Sequence, residues 1–454
     1  MSLNGSLYNC MKPILALLLL LPLTASAQES LSLSDAIATG LDNNYQIQIA
    51  ETRVDIAENS NDWAIAGRYP SIDLTVTSQN NYRDLSNPAG PLTASTTLNT
   101  GVTPGIEASL ILFDGYRVQI TKEQLEEQAN LSSGNLKVTV ESAVQTIINS
   151  YYNALIQQEQ LQVFTEVLEL SRDRVAYQEL RKEYGQSSTF DILQTQDAYL
   201  NDSTNYVQQQ NTFEQAIRNL NLAMGVDDLS QSYILTDTLT YSAEDYALQD
   251  LQEQMLANNQ QLQNEFINRE LASINTRLQQ TAYRPTVQLQ TGATYNAGIS
   301  FGEQTLSFGE NSTTNQIPEV AAKTFQGFVN LSASYPIFDG GARDIQTQNA
   351  QKEELIAQIN ISDLKRQLNT QLANTLATYN TQKRLVEVTS QLVQNARRNL
   401  EIAEERFRGG LINSFDYRSI QVSYINATQQ RLTAIFNLKQ TETELIRLIG
   451  GLVR

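Results

Sequence analysis

The sequence predicts a membrane α+β protein built by internal duplication, in which alternating strands hand the chain to helices too long for a globular core. Three observations carry this. The stretch Leu112-Phe113-Asp114-Gly115 returns as Ile337-Phe338-Asp339-Gly340, 225 positions later. Each copy ends a run in which apolar and polar residues alternate, the pattern of a half-buried strand. Each copy then opens a long polar helical run; from Tyr116 to Tyr184 there is no proline and only one glycine, Gly134. At ~1.5 Å per residue that run makes a helix about 100 Å long.

Composition narrows the function. The chain has 454 residues, a formal net charge of −18, no histidine and one cysteine, Cys10. No Lys/Arg cluster is available to neutralise phosphates, so no nucleic-acid partner is expected. In a hollow protein the acidic balance biases the lumen towards cations. The mature chain lacks the residues for Ser-His-Asp or Cys-His catalysis and for the usual zinc site. Carboxylates are scattered along helical faces, and none forms a pair to nominate as in a glycosidase. The reading is no enzyme, no catalytic residue, no metal and no cofactor.

The N-terminus carries an address. An apolar run from Ile14 to Leu23 follows Lys12 and ends in Thr24-Ala25-Ser26-Ala27, the shape of a secretory signal peptide over residues 1–27. It is too short to span a bilayer as a helix. Met11-Lys12 would begin a cleaner leader. The exported chain then relies on no disulfide.

The first repeat covers residues 28–226. Ser34 is a candidate N-cap for a short helix ending near Asn43-Asn44. A second helical run reaches about Arg68, where Tyr69-Pro70 stops it. In a strand over about 70–82, Ile72, Leu74 and Val76 alternate with Ser71, Asp73, Thr75 and Thr77. Arg83 to Gly101, rich in Asn, Pro, Gly, Ser and Thr, reads as a loop. A second strand over about 103–112 puts Ile106, Ala108, Leu110 and Leu112 on one face. At the junction that follows, Asp114 is placed to cap the next helix and Phe113 to staple its first turn. Long helices over 115–184 and 189–225 flank the break Gly185-Gln186-Ser187-Ser188, and Ser188 with Asp191 has capping-box spacing.

A linker region, 227–256, precedes the second repeat, 257–454. Asn258-Asn259 echoes Asn43-Asn44 and Pro285 echoes Pro70, both at an offset of 215. Strands over about 285–297 and 325–337 bracket a loop from Ala297 to Lys323. Long helices follow over 340–409 and 414–449, and Gly410, Phe415 and Asp416 match Gly185, Phe190 and Asp191 at offset 225. A register held over more than a hundred residues marks a duplication. The offset grows where insertions are best tolerated, between the strands.

The long helices carry a thin apolar seam, such as Leu385, Val388 and Leu392, with wide polar faces, suited to a coiled-coil wall wetted on one or both sides. A soluble periplasmic coiled-coil spacer would share that pattern, but not strands inserted at matching places. Four alternating segments of roughly 10–13 residues fit an outer membrane crossing. Four strands cannot close a barrel, and open edges cannot face lipid. Several copies must therefore contribute to one barrel; two would supply eight strands and three would supply twelve.

The signal, the duplication, Tyr69-Pro70-Ser71 before a strand, Phe-Asp-Gly opening each long helix and the Gly-x5-Asp after each resemble the TolC family of outer membrane efflux proteins. The likeness covers essentially the whole mature chain. It implies a homotrimer: a twelve-stranded β-barrel in outer membrane lipid, continued by a periplasmic α-helical barrel, with residues 227–256 in its equatorial region. It implies an exit duct of a tripartite efflux pump, or alternatively of type I protein secretion, docked to a periplasmic adaptor and an inner-membrane transporter. It places the barrel-to-helix junction at Pro70, Phe113, Asp114, Gly115 and at Pro285, Phe338, Asp339, Gly340. It places the periplasmic tip at Tyr184 to Asp191 and Phe407 to Asp416, with Gly185 and Gly410 as tip glycines. Asp416 stands at the first aspartate of the family's entrance ring and Ser419 at the second. Ile412 stands where some members carry a latching arginine, while Arg406 and Arg408 read as solvated charges. Asp191 and Asp416 also suit helix capping, a role compatible with facing the lumen.

Overall fold

The computed structural model describes residues 29–85, 94–239, 244–308 and 311–452. The leader assigned to residues 1–27 lies outside them. The chain opens with β1 (Glu29–Leu31), α1 (Leu33–Asn43) and α2 (Tyr45–Ser60). Ser32, not Ser34, caps α1, because Asp35 stands three residues after Ser32 and its carboxylate accepts from the Ser32 amide, closing a reciprocal box. The run read as helical to Arg68 leaves the helix after Ser60 and continues in turns, with Gly67 at φ +86°.

β2 (Ser71–Leu85) starts directly after Pro70, and β5 (Thr286–Phe308) directly after Pro285. Proline keeps the residue before it extended, so both repeats enter their hairpins alike. β2 pairs with β3 (Ala94–Phe113), β3 with β5, and β5 with β6 (Asn311–Ser334), all antiparallel, in one four-stranded sheet. Most of the residues read as loops, 83–101 and 297–323, belong to these strands wherever they are described, as in the pairs Asn81–Asn99 and Ser300–Val320. Pairing uses backbone groups alone, and an arm with polar residues on both faces shows no alternation while its ladder continues.

Opposed residues share a face, so the register lines up one apolar band: Leu74 with Ile106, Leu110 with Leu289, and Leu289 with Leu331. In the single chain Leu74 is 77% exposed. The other face is polar: Asp73 stands opposite Glu107, Ser71 shares a 2.8 Å hydrogen bond with Ser109, and Gln290 donates to Glu107. β2 and β6 are edges. β6 stops at Ser334, whereas β3 runs to Phe113, the repeat counterpart of Phe338. β3 has β5 beside it there; Ile337 and Phe338 project from an unpaired edge and are exposed.

α3 (Arg117–Glu183) and α7 (Ala342–Arg408) are 67 residues each, about 100 Å. α2 packs on the strand-proximal part of α3, and α6 (Gln260–Gln280) on both long helices. α4 (Thr189–Met224) returns along α3, and α8 (Ser414–Leu448) along α7. The cores lie at mid-length, where the short helices meet the returning ones. Tyr151, Leu155, Leu220 and Met224 form one; Met255, Leu262, Leu372 and Leu445 form the other. β4 (Tyr233–Leu235), within the linker, pairs in parallel with β1 and closes the first core. Three-residue strands carry no periodic signal, so the sequence did not show them. α5 (Leu248–Asn258) follows and leads into α6.

The Asn-Asn echo has a structural cause. Asn44 caps α2 and donates through Nδ2 to Ala223 O at 3.0 Å; Asn259 caps α6 and donates to Leu448 O at 3.0 Å. One side chain thus starts a helix and ties the end of the returning helix to it. Gly225 and Gly450, just past those ends, adopt φ of +73° and +69°, and a Cβ would meet Asn43 O at 2.6 Å and Asn258 O at 2.5 Å. Asn259 is buried, and Asn259→Ala removes both the cap and the tie. It should lower stability by about 1–2 kcal/mol, read as an earlier thermal unfolding transition in detergent.

Candidate functional site

Two parts of the structure gather the residues singled out in the sequence. The first is the strand-to-helix junction. Asp114 does not occupy the N-cap position: that residue is Tyr116, at φ +73°, and Asp114 reaches over it to accept from Val118 N at 3.2 Å. Asp339 likewise accepts from Arg343 N at 3.1 Å across the N-cap residue Gly341. Phe113 packs edge-on against Tyr116 rather than stapling the first turn. Gly115 is pressed against the entry to β5, with Arg284 Nη1 donating to its carbonyl at 3.0 Å and the Arg284 guanidinium over Tyr116. Around its twin Gly340, among the described residues, nothing beyond its own chain neighbours lies within 4 Å of where a Cβ would stand. The two junctions share a backbone, and the second is held by Arg343 donating to Ala282 O at 3.2 Å with its guanidinium over Tyr283, so the difference lies at the glycine itself.

The second part is the far end of the long helices. Gly185 and Gly410 end α3 and α7 at φ +70° and +71°, and among the described residues they too have nothing beyond their chain neighbours within 4 Å of a Cβ position. Their glycine character answers the left-handed turn, not a close contact within the chain. Ser188 caps α4, and the Asp191 carboxylate accepts from the Ser188 hydroxyl at 2.7 Å and from Ser188 N at 3.1 Å, which holds the Asp191 carboxyl below its usual pKa. In the second copy Asn413 takes the cap, accepting from Asp416 N at 2.8 Å. Among the described residues no hydrogen bond or ion pair engages the exposed Asp416 carboxylate. Capping therefore accounts for the Asp191 carboxylate and leaves that of Asp416 unused. Ser419 is exposed one turn on, and Phe407 is buried between Tyr177 and Tyr417 with Ile412 against the same cluster. Arg408 pairs with Glu404 on the surface of its own helix.

Some 15 Å along the helices from this end lies a buried polar cluster that the motifs did not announce. Asp202 on α4, 1% exposed, accepts from Arg418 Nη1 on α8 at 2.7 Å and from the Ser171 hydroxyl on α3. Arg174 on α3 donates to Ser171 Oγ at 3.0 Å and Gln421 Oε1 at 3.1 Å, with its guanidinium 4.6 Å from the Tyr417 ring centre. Burial pushes the Arg174 pKa down, and neighbouring Tyr417 and Asp202 oppose that. One carboxylate thus sits among two guanidiniums, tying both helices of the first repeat to α8 of the second. The signal was present in the duplication: at offset 225, Asp202 aligns with Ala427 and Arg418 with Leu193. A charge facing a small or apolar residue at the same repeat position marks an interaction made by one copy only.

An edge-open sheet with an apolar band, continued by polar helices about 100 Å long, defines a class: an outer membrane duct of the TolC-like fold with its helices in the periplasm. Among the described residues no helix is long and apolar enough to cross a membrane. The family model described as outer membrane efflux protein matches residues 36–226 and 251–451, once per repeat. The chain belongs to that family; it is an outer membrane efflux channel and not an enzyme. Solved structures agree on the fold. CusC is similar with a TM-score of 0.71 at 16% identity, over 92% of both chains. CmeC of Campylobacter jejuni gives 0.70 at 14%, over 92% of this chain and 85% of its own. VceC of Vibrio cholerae gives 0.68 at 17%, over 92% and 96%. No curated protein matches the chain by sequence.

The buried cluster predicts a reciprocal pattern of stability. Asp202→Ala leaves the Arg418 guanidinium without its carboxylate and the Ser171 hydroxyl without its acceptor, and should cost about 3 kcal/mol. Adding Arg418→Leu, which installs the residue pair of the other repeat, should recover most of that loss. Thermal denaturation of the single and double variants measures both.

Proposed function

We propose that three copies of the chain close one duct, which conducts substrates passively from an inner-membrane transporter, through a periplasmic adaptor, to the outside. The observation that carries this reading is the four-stranded sheet with two open edges under a continuous apolar band. Such edges have no place in lipid unless another sheet pairs with them. Three copies supply twelve strands, enough for an interior wider than the solid core of an eight-stranded barrel. The early end of β6 at Ser334 is what a strand does when its neighbour belongs to another molecule.

The interior of such a duct is polar along its whole length, from Asp73 and Glu107 in the sheet to the Gln- and Asn-rich helix faces. No chemical step is needed. Conduction needs a wet wall and a tip with two states, one of which the adaptor favours. The tip comprises Gly185, Asp191, Phe407, Gly410, Asp416 and Ser419, with Asp416 supplying one free carboxylate per copy at the mouth. Asp191 serves its own helix.

Purified protein should migrate as a stable trimer and conduct in planar bilayers. Divalent cations added on the tip side should block the current, and Asp416→Asn should relieve that block while Asp191→Asn leaves it in place. A protein that stays monomeric in detergent, or forms no channel, sinks the duct reading. Block that survives Asp416→Asn removes the acidic mouth from it.

A further inference from the structure

Between α2 and the sheet, a short turn gathers positive charges that conduction does not use. Trp63, the only tryptophan of the chain, is half-buried there. The turn closes on a left-handed glycine: Gly67 sits at φ +86°, its N–H donates to Ala64 O at 3.1 Å, and Arg68 N donates to Trp63 O at 3.0 Å. Closure of this kind brings the residue after the glycine against the one that accepts its amide. The Arg68 guanidinium accordingly stands 4.7 Å from the Trp63 ring centre. A second cation arrives from α3: Lys122 Nζ lies 5.9 Å from the same ring and donates to Asn61 Oδ1 at 2.6 Å.

Two positive charges at one indole call for an anion. Among the described residues no ion pair engages Arg68 or Lys122, and no hydrogen bond engages the Arg68 guanidinium. The carboxylate of the turn, Asp62, accepts from Ala64 N at 2.7 Å and so shapes the turn itself. The indole face offsets part of the repulsion between the cations. It leaves a guanidinium with its donors open beside an ammonium with two of its three still free. A phosphate fits such a pair, taken in two-pronged fashion by the guanidinium. The second repeat builds nothing equivalent: at the repeat offsets Trp63, Arg68 and Lys122 become Leu278, Tyr283 and Thr347. Its own cation over a ring, Arg343 on Tyr283, is already paired with Asp339 at 2.8 Å.

The position of the turn decides where that phosphate comes from. β2 starts at Ser71, and Ile72, opposite Ala108, is its first residue on the apolar band. The turn therefore lies at the periplasmic end of the band, where phospholipid headgroups begin. Ile65 and Tyr69, on either side of Gly67 and Arg68, are 62% and 60% exposed. Their counterparts Gln280 and Arg284 are exposed as well, although α6 packs on both long helices. These positions thus point away from the helical wall. Apolar tips, an indole and open cations at one membrane boundary are the parts of an interfacial anchor. We infer that the turn over residues 61–69, with Lys122, clasps the headgroup phosphate of an anionic phospholipid in the periplasmic leaflet of the outer membrane. A zwitterionic lipid is the poorer guest, because its own ammonium competes for the phosphate. The clasp depends on the outer membrane location and not on the number of copies.

Because Trp63 is the sole tryptophan, its fluorescence reads this site in the full chain. The protein is reconstituted in phosphatidylcholine bilayers that carry a fixed fraction of one brominated lipid, either phosphatidylglycerol or phosphatidylcholine. Brominated phosphatidylglycerol should quench with a preference of about fivefold or more, the effect of a single basic residue at an anionic surface. That comparison needs no variant. Arg68→Gln with Lys122→Gln should abolish the preference, and Arg68→Gln alone, which changes one exposed side chain, should lower it. Arg117→Gln, which removes an exposed cation at the start of α3, should leave it unchanged. An unaltered thermal unfolding transition reports that each variant folds. Equal quenching by the two lipids overturns the clasp, and so does a preference that survives the double variant. No quenching by either lipid takes the indole out of the membrane boundary and overturns the inference outright. Glycerol phosphate added to the protein in detergent should leave the emission unchanged; a matching response there makes this a site for free phosphate and not for lipid. Conduction enters none of these measurements, so the duct reading stands or falls apart from them.

Discussion

Every backbone N–H and C=O that enters hydrocarbon has to find a partner, because no water is there to provide one. The rest of this molecule follows from how its sheet meets that demand. Four strands satisfy three internal ladders and leave two edges, β2 and β6, unsatisfied. The apolar band across all four strands suits the sheet to lipid, and its two edges keep unpaired backbone groups. The edge strand β6 stops at Ser334, short of the point its repeat counterpart reaches. That shows the same constraint from the other side: without a neighbour there is no ladder to extend it.

Below the sheet the demand changes from hydrogen bonds to length. Two helices of 67 residues cannot bury themselves in a compact core, so the chain gives each a shorter partner at both ends. The small cores of Tyr151 and Met224, and of Met255 and Leu445, sit where those partners meet. Asn44 and Asn259 join the meeting helices with a single side chain each. The helical part is therefore firm at mid-length and held towards its far end by the buried Asp202 cluster. Its last turns carry the left-handed glycines Gly185 and Gly410, which end the two long helices.

The duplication also separates structural roles from positional ones. Asp191 and Asp416 occupy equivalent sites, yet Ser188 engages the first carboxylate while Asn413, an amide, asks nothing of the second. Gly115 and Gly340 share a backbone conformation, yet only the first meets a neighbour in its own chain. Where the copies agree, the fold requires the residue. Where they differ, one copy faces its own chain and the other faces elsewhere.

Periodicity, proline placement and repeat offset were enough to read the duplication, the long helices, the four strand seeds and the apolar band, because these are local patterns that backbone geometry imposes on any chain. Strand length was not legible: the polar arms of the hairpins alternate no apolar face, and only pairing reveals them. The β1–β4 pair escaped for the same reason, as did the choice of Ser32 over Ser34, which hangs on where Asp35 points back. Of the site residues, the tip and junction positions stood out as repeated motifs. The cluster of Ser171, Arg174, Asp202, Arg418 and Gln421 did not, since its members come from three helices and meet only when those helices pack. Sequence determined what each segment is; tertiary structure decided which segments touch, because contact between residues far apart in the chain leaves no periodic trace in it.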